Sequence, residues 1–383
     1  MIPSLISAFE AAEQHEPESV AEAARTMQEL ARGGRCVAFA GGETELELGG
    51  RPARIDAVAR TRRLRRILEY QPADMVMVVE AGVTLAEMQA AAREHRQRLA
   101  LDPPWPDRAT IGGIVATGAF GPRRARYGGV RDLIIGVELV RADGAVAHGG
   151  GKVVKNVAGF DLPKLACGSL GTLGLIAGAT FRLHPLPEAS ETVVLRGLSA
   201  AEVVAAVARL RAAQLEPVAA IALRAPSGYD LAICFEGFGK GVEQQVTKLR
   251  QLAPSARAAS DEWPRHDLVR VGGPLRIKVA ALPTQLPDLD QLLAPLGLRF
   301  AWYPTLGLGF AAGAAGEEAP ALLADARAEL VRRGGSLIVQ TAPADFPFEP
   351  WGPPPASFPI MQRLKQNFDP DHRLNPGRFV GGL

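Results

Sequence analysis

Glycine is concentrated at three places in the first half of this chain, and that clustering constrains the fold more than any other feature of the sequence. The first group is Gly41-Gly42-Glu43-Thr44, directly after an apolar run. The second is Thr110-Ile111-Gly112-Gly113, continuing through Gly118, Gly121, Gly128 and Gly129; the third is Gly168-Ser169-Leu170-Gly171-Thr172-Leu173-Gly174. Glycine lets a backbone come close to a ligand and lets successive N–H groups converge on an anion. The hydroxyls of Thr44, Thr110, Ser169 and Thr172 add donors. Three such segments with few lysines near them suit a large pyrophosphate-bearing cofactor held mainly by backbone.

Spacing excludes the commonest nucleotide sites. The third cluster reads G-x-x-G-x-x-G and lacks the G-x-G-x-x-G order of a dinucleotide-binding turn. Gly149-Gly150-Gly151-Lys152 has Val146 where a phosphate loop needs its first glycine, and Val153 where Ser or Thr must hold magnesium. A formal net charge of +2 gives no field for DNA or RNA, and Arg60, Arg62, Arg63, Arg65 and Arg66 read as one solvated helix face. Cys36, Cys167 and Cys234 stand far apart, so neither a disulfide framework, a metal site nor an iron–sulfur cluster is expected. The first residues lack a basic segment followed by an apolar one, and nowhere do about 18 apolar residues run together. A cytoplasmic protein is expected, without direct membrane insertion and peripheral to a membrane only through partners.

The chain is long enough for two or three domains. Periodicity predicts a helix over 19–32 closed by Gly33-Gly34, strands over 36–40, 75–79 and 133–140, and a capping box at Thr84-Leu-Ala-Glu87. Asp143-Gly144 marks a hairpin. Beyond Pro185 a strand–helix–strand–strand–helix order occurs twice. The expected fold is α+β: a first domain over 1–185, a second over 186–345 built from paired ferredoxin-like halves with one antiparallel sheet and helices on one side, and a segment over 346–383 returning to the first. Pro343 to Pro359 fits neither regular helix nor central strand.

Four segments carry a likeness. They are Ala109-Thr-Ile-Gly-Gly-Ile-Val-Ala-Thr-Gly118, Tyr127-Gly-Gly-Val-Arg-Asp132, Lys152-Val-Val-Lys-Asn-Val-Ala-Gly-Phe-Asp-Leu-Pro-Lys-Leu165 and Gly168-Ser-Leu-Gly-Thr-Leu-Gly-Leu-Ile176. Together they resemble the FAD-binding domain of the vanillyl-alcohol oxidase or PCMH type, and within it the FAD-binding subunits of bacterial glycolate oxidases. The likeness spans about residues 35–182 and includes Leu374-Asn-Pro-Gly377. It implies FAD as cofactor and two α+β subdomains in the FAD domain, with the second domain as a cap. It also implies a complex with a larger catalytic flavoprotein subunit and an iron–sulfur subunit, acting on glycolate or another small 2-hydroxy acid such as D-lactate.

Carried over, the resemblance makes Gly41, Gly42, Glu43 and Thr44 a first pyrophosphate loop and Thr110, Ile111, Gly112 and Gly113 a second, with Ala116, Thr117 and Gly118 beside the flavin. Asp132 would order the turn before it, Asn156 would hold loop or cofactor, and Asp161 would cap a short helix from Leu162. Gly171, Thr172, Leu173 and Ile176 would meet the adenine and ribose side. The sequence departs from the family where Ala40 replaces an arginine and where Glu43 sets a carboxylate beside a pyrophosphate; that carboxylate must be paired or turned outward.

Oxidising a 2-hydroxy acid needs a base, a cation for the carboxylate and a hydride acceptor. The related catalytic flavoproteins share a His-x-Gly-Asp-Gly-Asn-x-His signature that is absent here, and the six histidines are each isolated. His266 is read in a loop, either as a structural residue or as a substrate contact. Arg270 precedes a strand on which Arg276 and Lys278 share a face, which is either solvated or a carboxylate site. The leading reading is a cofactor-binding subunit; the alternatives are a self-sufficient FAD-dependent 2-hydroxy-acid dehydrogenase and a flavin-free structural subunit.

Overall fold

A computed structural model describes residues 5–52, 54–152, 159–259 and 261–383, with side chains from residue 8 onward. Its contacts divide the chain into two units. The first comprises Met1–Gly121, Tyr127–Leu186 and Pro353–Leu383; the second comprises Pro122–Arg126 and Pro187–Gly352.

The first unit holds three sheets among its described residues, the smallest being Gln97–Arg98 paired antiparallel with His184–Pro185. Glu13–His15, Ala57–Arg60 and Val37–Ala40 make a parallel three-stranded sheet. An antiparallel sheet of five follows the order Ile67–Gln71, Val76–Glu80, Leu175–Arg182, Ile134–Val140, Val146–Gly150. Helix Val20–Arg32 is capped by the Ser19 side chain, and its Ala23, Met27 and Leu30 pack on Val37 and Ala57 of one sheet and on Val140, Leu175 and Ala177 of the other. This shared apolar layer fixes the two α+β subdomains against each other. Thr84 caps helix Leu85–Arg93, and Glu87 returns the bond to the Thr84 amide, as the spacing predicts.

The second unit is one eight-stranded antiparallel sheet. Its order is Arg257–Ala258, Ala189–Leu198, Gly228–Gly237, Ala219–Ala225, Arg299–Tyr303, Leu308–Gly313, Leu275–Ala280, Ser336–Thr341. On one face Leu231, Ile233, Phe235, Ile277, Val279, Phe300 and Trp302 join residues of helices Ala200–Ala212, Gly239–Leu252, Leu286–Leu293 and Ala319–Arg332 in a single core. Strand alternation puts Asp230, Arg276, Lys278, Tyr303 and Phe310 on the other face.

The structure corrects four readings. The arginine-rich stretch is no helix: Arg60 ends a strand, and the residues after it form a turn and a loop. Its cations are matched to carboxylates, Arg60 with Glu43, Arg63 with Glu18, Arg65 with Glu87 and Arg66 with Glu80. His266 is not in a loop but on helix Glu262–Val271, where Pro264 lies in the first turn, whose amides need no intrahelical partner. That helix carries His266 and Arg270 onto Tyr303 and Phe310, so helices cover both faces of the sheet rather than one. Pro359 likewise falls in the first turn of helix Phe358–Phe368.

Candidate functional site

In the first unit a cleft is lined by Phe39, Ala40, Gly41, Gly42, Glu43 and Thr44 from the first glycine group. Thr110, Gly113, Ala116 and Thr117 come from the second, Leu170 and Gly171 from the third, and Asn375 and Arg378 from the chain's last segment. The three glycine groups therefore converge, as their chemistry anticipates.

Close backbone approach explains the first group. A side chain at Gly42 would collide with the Arg108 carbonyl, so the loop lies flat on the segment preceding Thr110. Thr110, itself buried, ties the loops together: its Oγ1 accepts from the Gly42 amide at 3.3 Å and the Gly113 amide at 3.4 Å. The second group is a short helix, Ile111–Thr117, not an open loop. The Ile111 and Gly112 amides donate to Val83 O and Ala81 O, so this segment shapes the cleft by lacking side chains rather than by offering three free donors. Glu43 stands at φ 59° with its carboxylate paired to Arg60 and Arg62, which answers the question that its charge raises.

The C-terminal segment closes the cleft. Asn375 accepts from the Phe39 amide and donates to Leu170 O, linking the first and third groups. The Arg378 guanidinium, fully buried and held at a pKa of about 10 by desolvation, donates to the carbonyls of Leu46 and Leu48. Behind them Lys365 donates to Thr172 O, Leu374 O and Asp369. Desolvation pulls the Lys365 ammonium below the usual lysine range, and the Asp369 carboxylate opposes it.

The other residues singled out from the sequence lie elsewhere. Ile111, Gly112, Thr172, Leu173 and Ile176 are buried in the packing of the unit, and Gly118 closes its helix at φ 62°. Asp132 accepts from the Gly129 amide and orders that turn, while Asp161 caps helix Leu162–Ala166. Asn156 lies outside the described residues. Phe39, Leu170, Asn375 and Arg378 are not among the residues the sequence singles out; of these only Asn375 lies in the Leu374-Asn-Pro-Gly377 likeness near the end of the chain.

The second unit assembles a cationic cluster on the sheet face under helix Glu262–Val271. Arg270 lies 3.9 Å from the Phe310 ring centroid and donates to the Tyr303 hydroxyl at 2.8 Å. Arg276 donates to Thr341 Oγ1 and to Arg270 O. His266 bonds Asp267 through Nδ1 at 3.0 Å and the Tyr303 hydroxyl through Nε2 at 2.5 Å. Desolvation, reinforced by Arg124 and then Arg270, pushes the Lys278 ammonium down to about 8. No group of three His, Cys, Asp or Glu side chains among the described residues could hold a metal ion, and no described helix is long and apolar enough to cross a membrane.

The first-unit cleft fits a dinucleotide. Four glycines and Ala116 line it, and at Gly113 a Cβ would already press on Thr110 Oγ1 at 3.3 Å, so glycine keeps room there for a ligand to approach the backbone closely. Comparisons with known proteins agree. A family profile described as an FAD binding domain matches residues 15–150. Glycolate oxidase subunit GlcE of Escherichia coli is 30% identical over 83% of this chain and 86% of its own length. A D-lactate dehydrogenase of Archaeoglobus fulgidus is 40% identical over 38% of this chain; the match spans only about a third of that protein, 32%. Among solved structures, alkyldihydroxyacetonephosphate synthase superposes with a TM-score of 0.70 over 95% of this chain and 76% of its own at 18% identity, a likeness of fold.

Proposed function

We propose a function on one premise: the chain belongs to the GlcE family of FAD-binding oxidoreductases and takes FAD as its cofactor. It is the FAD-binding subunit of a glycolate oxidase-like complex that oxidises glycolate or D-lactate to the 2-oxo acid. Its partners are a larger catalytic flavoprotein subunit and an iron–sulfur subunit, and electrons leave through the latter. When bound, FAD supplies the hydride-accepting chemistry. Gly41, Gly42, Gly113 and Gly171 shape its diphosphate site, Thr110 holds the loops in register, and Asn375 and Arg378 keep them closed. In the second unit Lys278 with Arg270 attracts a carboxylate, Arg124 adding positive potential, and Arg276 positions Arg270 through its carbonyl.

The observation that carries the subunit reading is His266. It is buried, and both ring nitrogens are engaged, so it is not poised to take a proton from a substrate hydroxyl. The base is therefore assigned to a partner. The names of the relatives support the assembly, since the Escherichia coli protein is itself called a subunit, as is glycolate oxidase subunit GlcD of Bacillus subtilis.

The test adds glycolate or D-lactate anaerobically to the isolated, flavin-loaded chain. The acid is expected to bind without bleaching the flavin absorbance. Lys278 is protonated below about 8, so affinity for the carboxylate should fall as pH rises through that value, and Lys278→Met should flatten the profile. Bleaching by the chain alone would overturn the subunit reading in favour of a self-sufficient dehydrogenase.

A further inference from the structure

The cleft contains a negative charge of its own. Glu43 lies between Gly42 and Thr44 on the cleft wall, at a positive φ that fixes its backbone, and its side chain is 26% exposed. Its carboxylate is shared by two guanidiniums. Arg60, 16% exposed, is braced by Nε donating to Gln14 Oε1 at 2.9 Å. Arg62, 53% exposed, reaches Glu43 at 3.2 Å and donates from Nε to Gly41 O, also at 3.2 Å. One anion and two cations therefore sit at the rim of the first glycine loop. Their sum is one positive charge, against roughly two negative charges on a dinucleotide diphosphate.

We propose that Glu43 sets how tightly this chain holds FAD, by acting as a built-in counter-anion that competes with the cofactor's diphosphate for Arg60 and Arg62. The inference rests on the first-unit cleft being the FAD site. Charge-assisted bonds from guanidinium to an anionic oxygen are the strong kind, and each guanidinium has a limited number of donors in a fixed fork. While Glu43 occupies them, the diphosphate gains less from the arginines, and the flavin stays exchangeable. Neutralising Glu43 frees both forks for the ligand without altering the loop, because glutamine keeps the shape and length of the side chain. The arginines at this site thus serve two anions, one resident and one brought by the cofactor.

The experiment measures FAD dissociation constants by fluorescence titration of the deflavinated full chain for the wild type, Glu43→Gln, Arg62→Gln and the double variant, at low and high salt. Glu43→Gln should bind FAD about tenfold more tightly and show a steeper salt dependence. Arg62→Gln, at a half-exposed position, should bind several-fold more weakly, and the double variant should lose most of the gain. Unchanged or weaker binding by Glu43→Gln overturns the proposal, as does an unchanged constant for Arg62→Gln. Gly113→Asp in the same titration separates the two levels. If it abolishes binding while Glu43→Gln has no effect, only the counter-anion role falls; if it too has no effect, the cleft is not the FAD site and both fall.

Discussion

Replacing Lys365 by methionine is expected to destabilise the first unit by about 3–5 kcal/mol, the cost of leaving one member of a buried ion pair without the other. Lys365 is 1% exposed and Asp369 is fully buried. The ammonium spends its three protons on Asp369 Oδ2 at 2.7 Å and on Thr172 O and Leu374 O, each at 2.9 Å. Asp369 also accepts from the amides of Arg373 and Leu374, which gives the carboxylate enough support to be buried only while the ammonium is present. Methionine fills the same volume but leaves that charge and two carbonyls short of donors. Because the Arg373 carbonyl accepts from the Val37 amide and the Asn375 amide donates to the Val37 carbonyl, on the strand that leads into the first glycine loop, flavin should also be held less firmly. Thermal unfolding of the flavin-free chain should fall by roughly 10 °C. Pairing Lys365→Met with Asp369→Asn should recover part of the loss, and an unchanged midpoint for the single variant would show that the pair does not anchor the segment.

Gly113→Asp is expected to remove FAD binding, with affinity lowered at least about 100-fold, while the fold survives. The position is the third of its helix, where an acidic side chain is well tolerated near unsatisfied amides. A Cβ there meets only Thr110 Oγ1, at 3.3 Å, so the side chain can enter without displacing backbone provided the hydroxyl gives by a few tenths of an ångström. It then points a carboxylate into the cleft proposed for the diphosphate, where like charges a few ångströms apart repel by about 4 kcal/mol at the effective dielectric of a protein surface. Flavin content measured against protein absorbance, with circular dichroism to follow the fold, checks this. Full flavin in a folded variant would move the diphosphate out of this cleft.

Local rules carried much of the way from sequence to structure. The capping box at Thr84 and Glu87, the Asp161 cap and the hairpin at Asp143-Gly144 each depend on residues a few positions apart, and all are present. The convergence of the glycine groups was legible because glycine signals close approach wherever it clusters. What could not be read depends on distant partners. Asn375 meets Phe39 across 336 residues, and Arg378 reaches Leu48 across 330. Lys365 and Asp369, four apart on a helix end, look like an ordinary solvated pair until the packing around them is known. Pro264 disguised the start of the helix that buries His266, and the arginines from Arg60 onward hid the end of a short strand and a loop, with Arg60 and Arg65 pairing with Glu43 and Glu87.

We propose that the first unit holds FAD by its diphosphate, against backbone that glycine brings close. The deflavinated chain titrated in parallel with FAD and with riboflavin, which has the same ring system and no phosphate, tests it most directly. One FAD per chain should bind saturably, with ADP as a competitor, and riboflavin should bind at least about 100-fold more weakly, since several charge-assisted and backbone contacts at roughly 1.5–3 kcal/mol each are missing. Riboflavin binding as tightly as FAD, with no competition by ADP, would rule out diphosphate recognition by this unit.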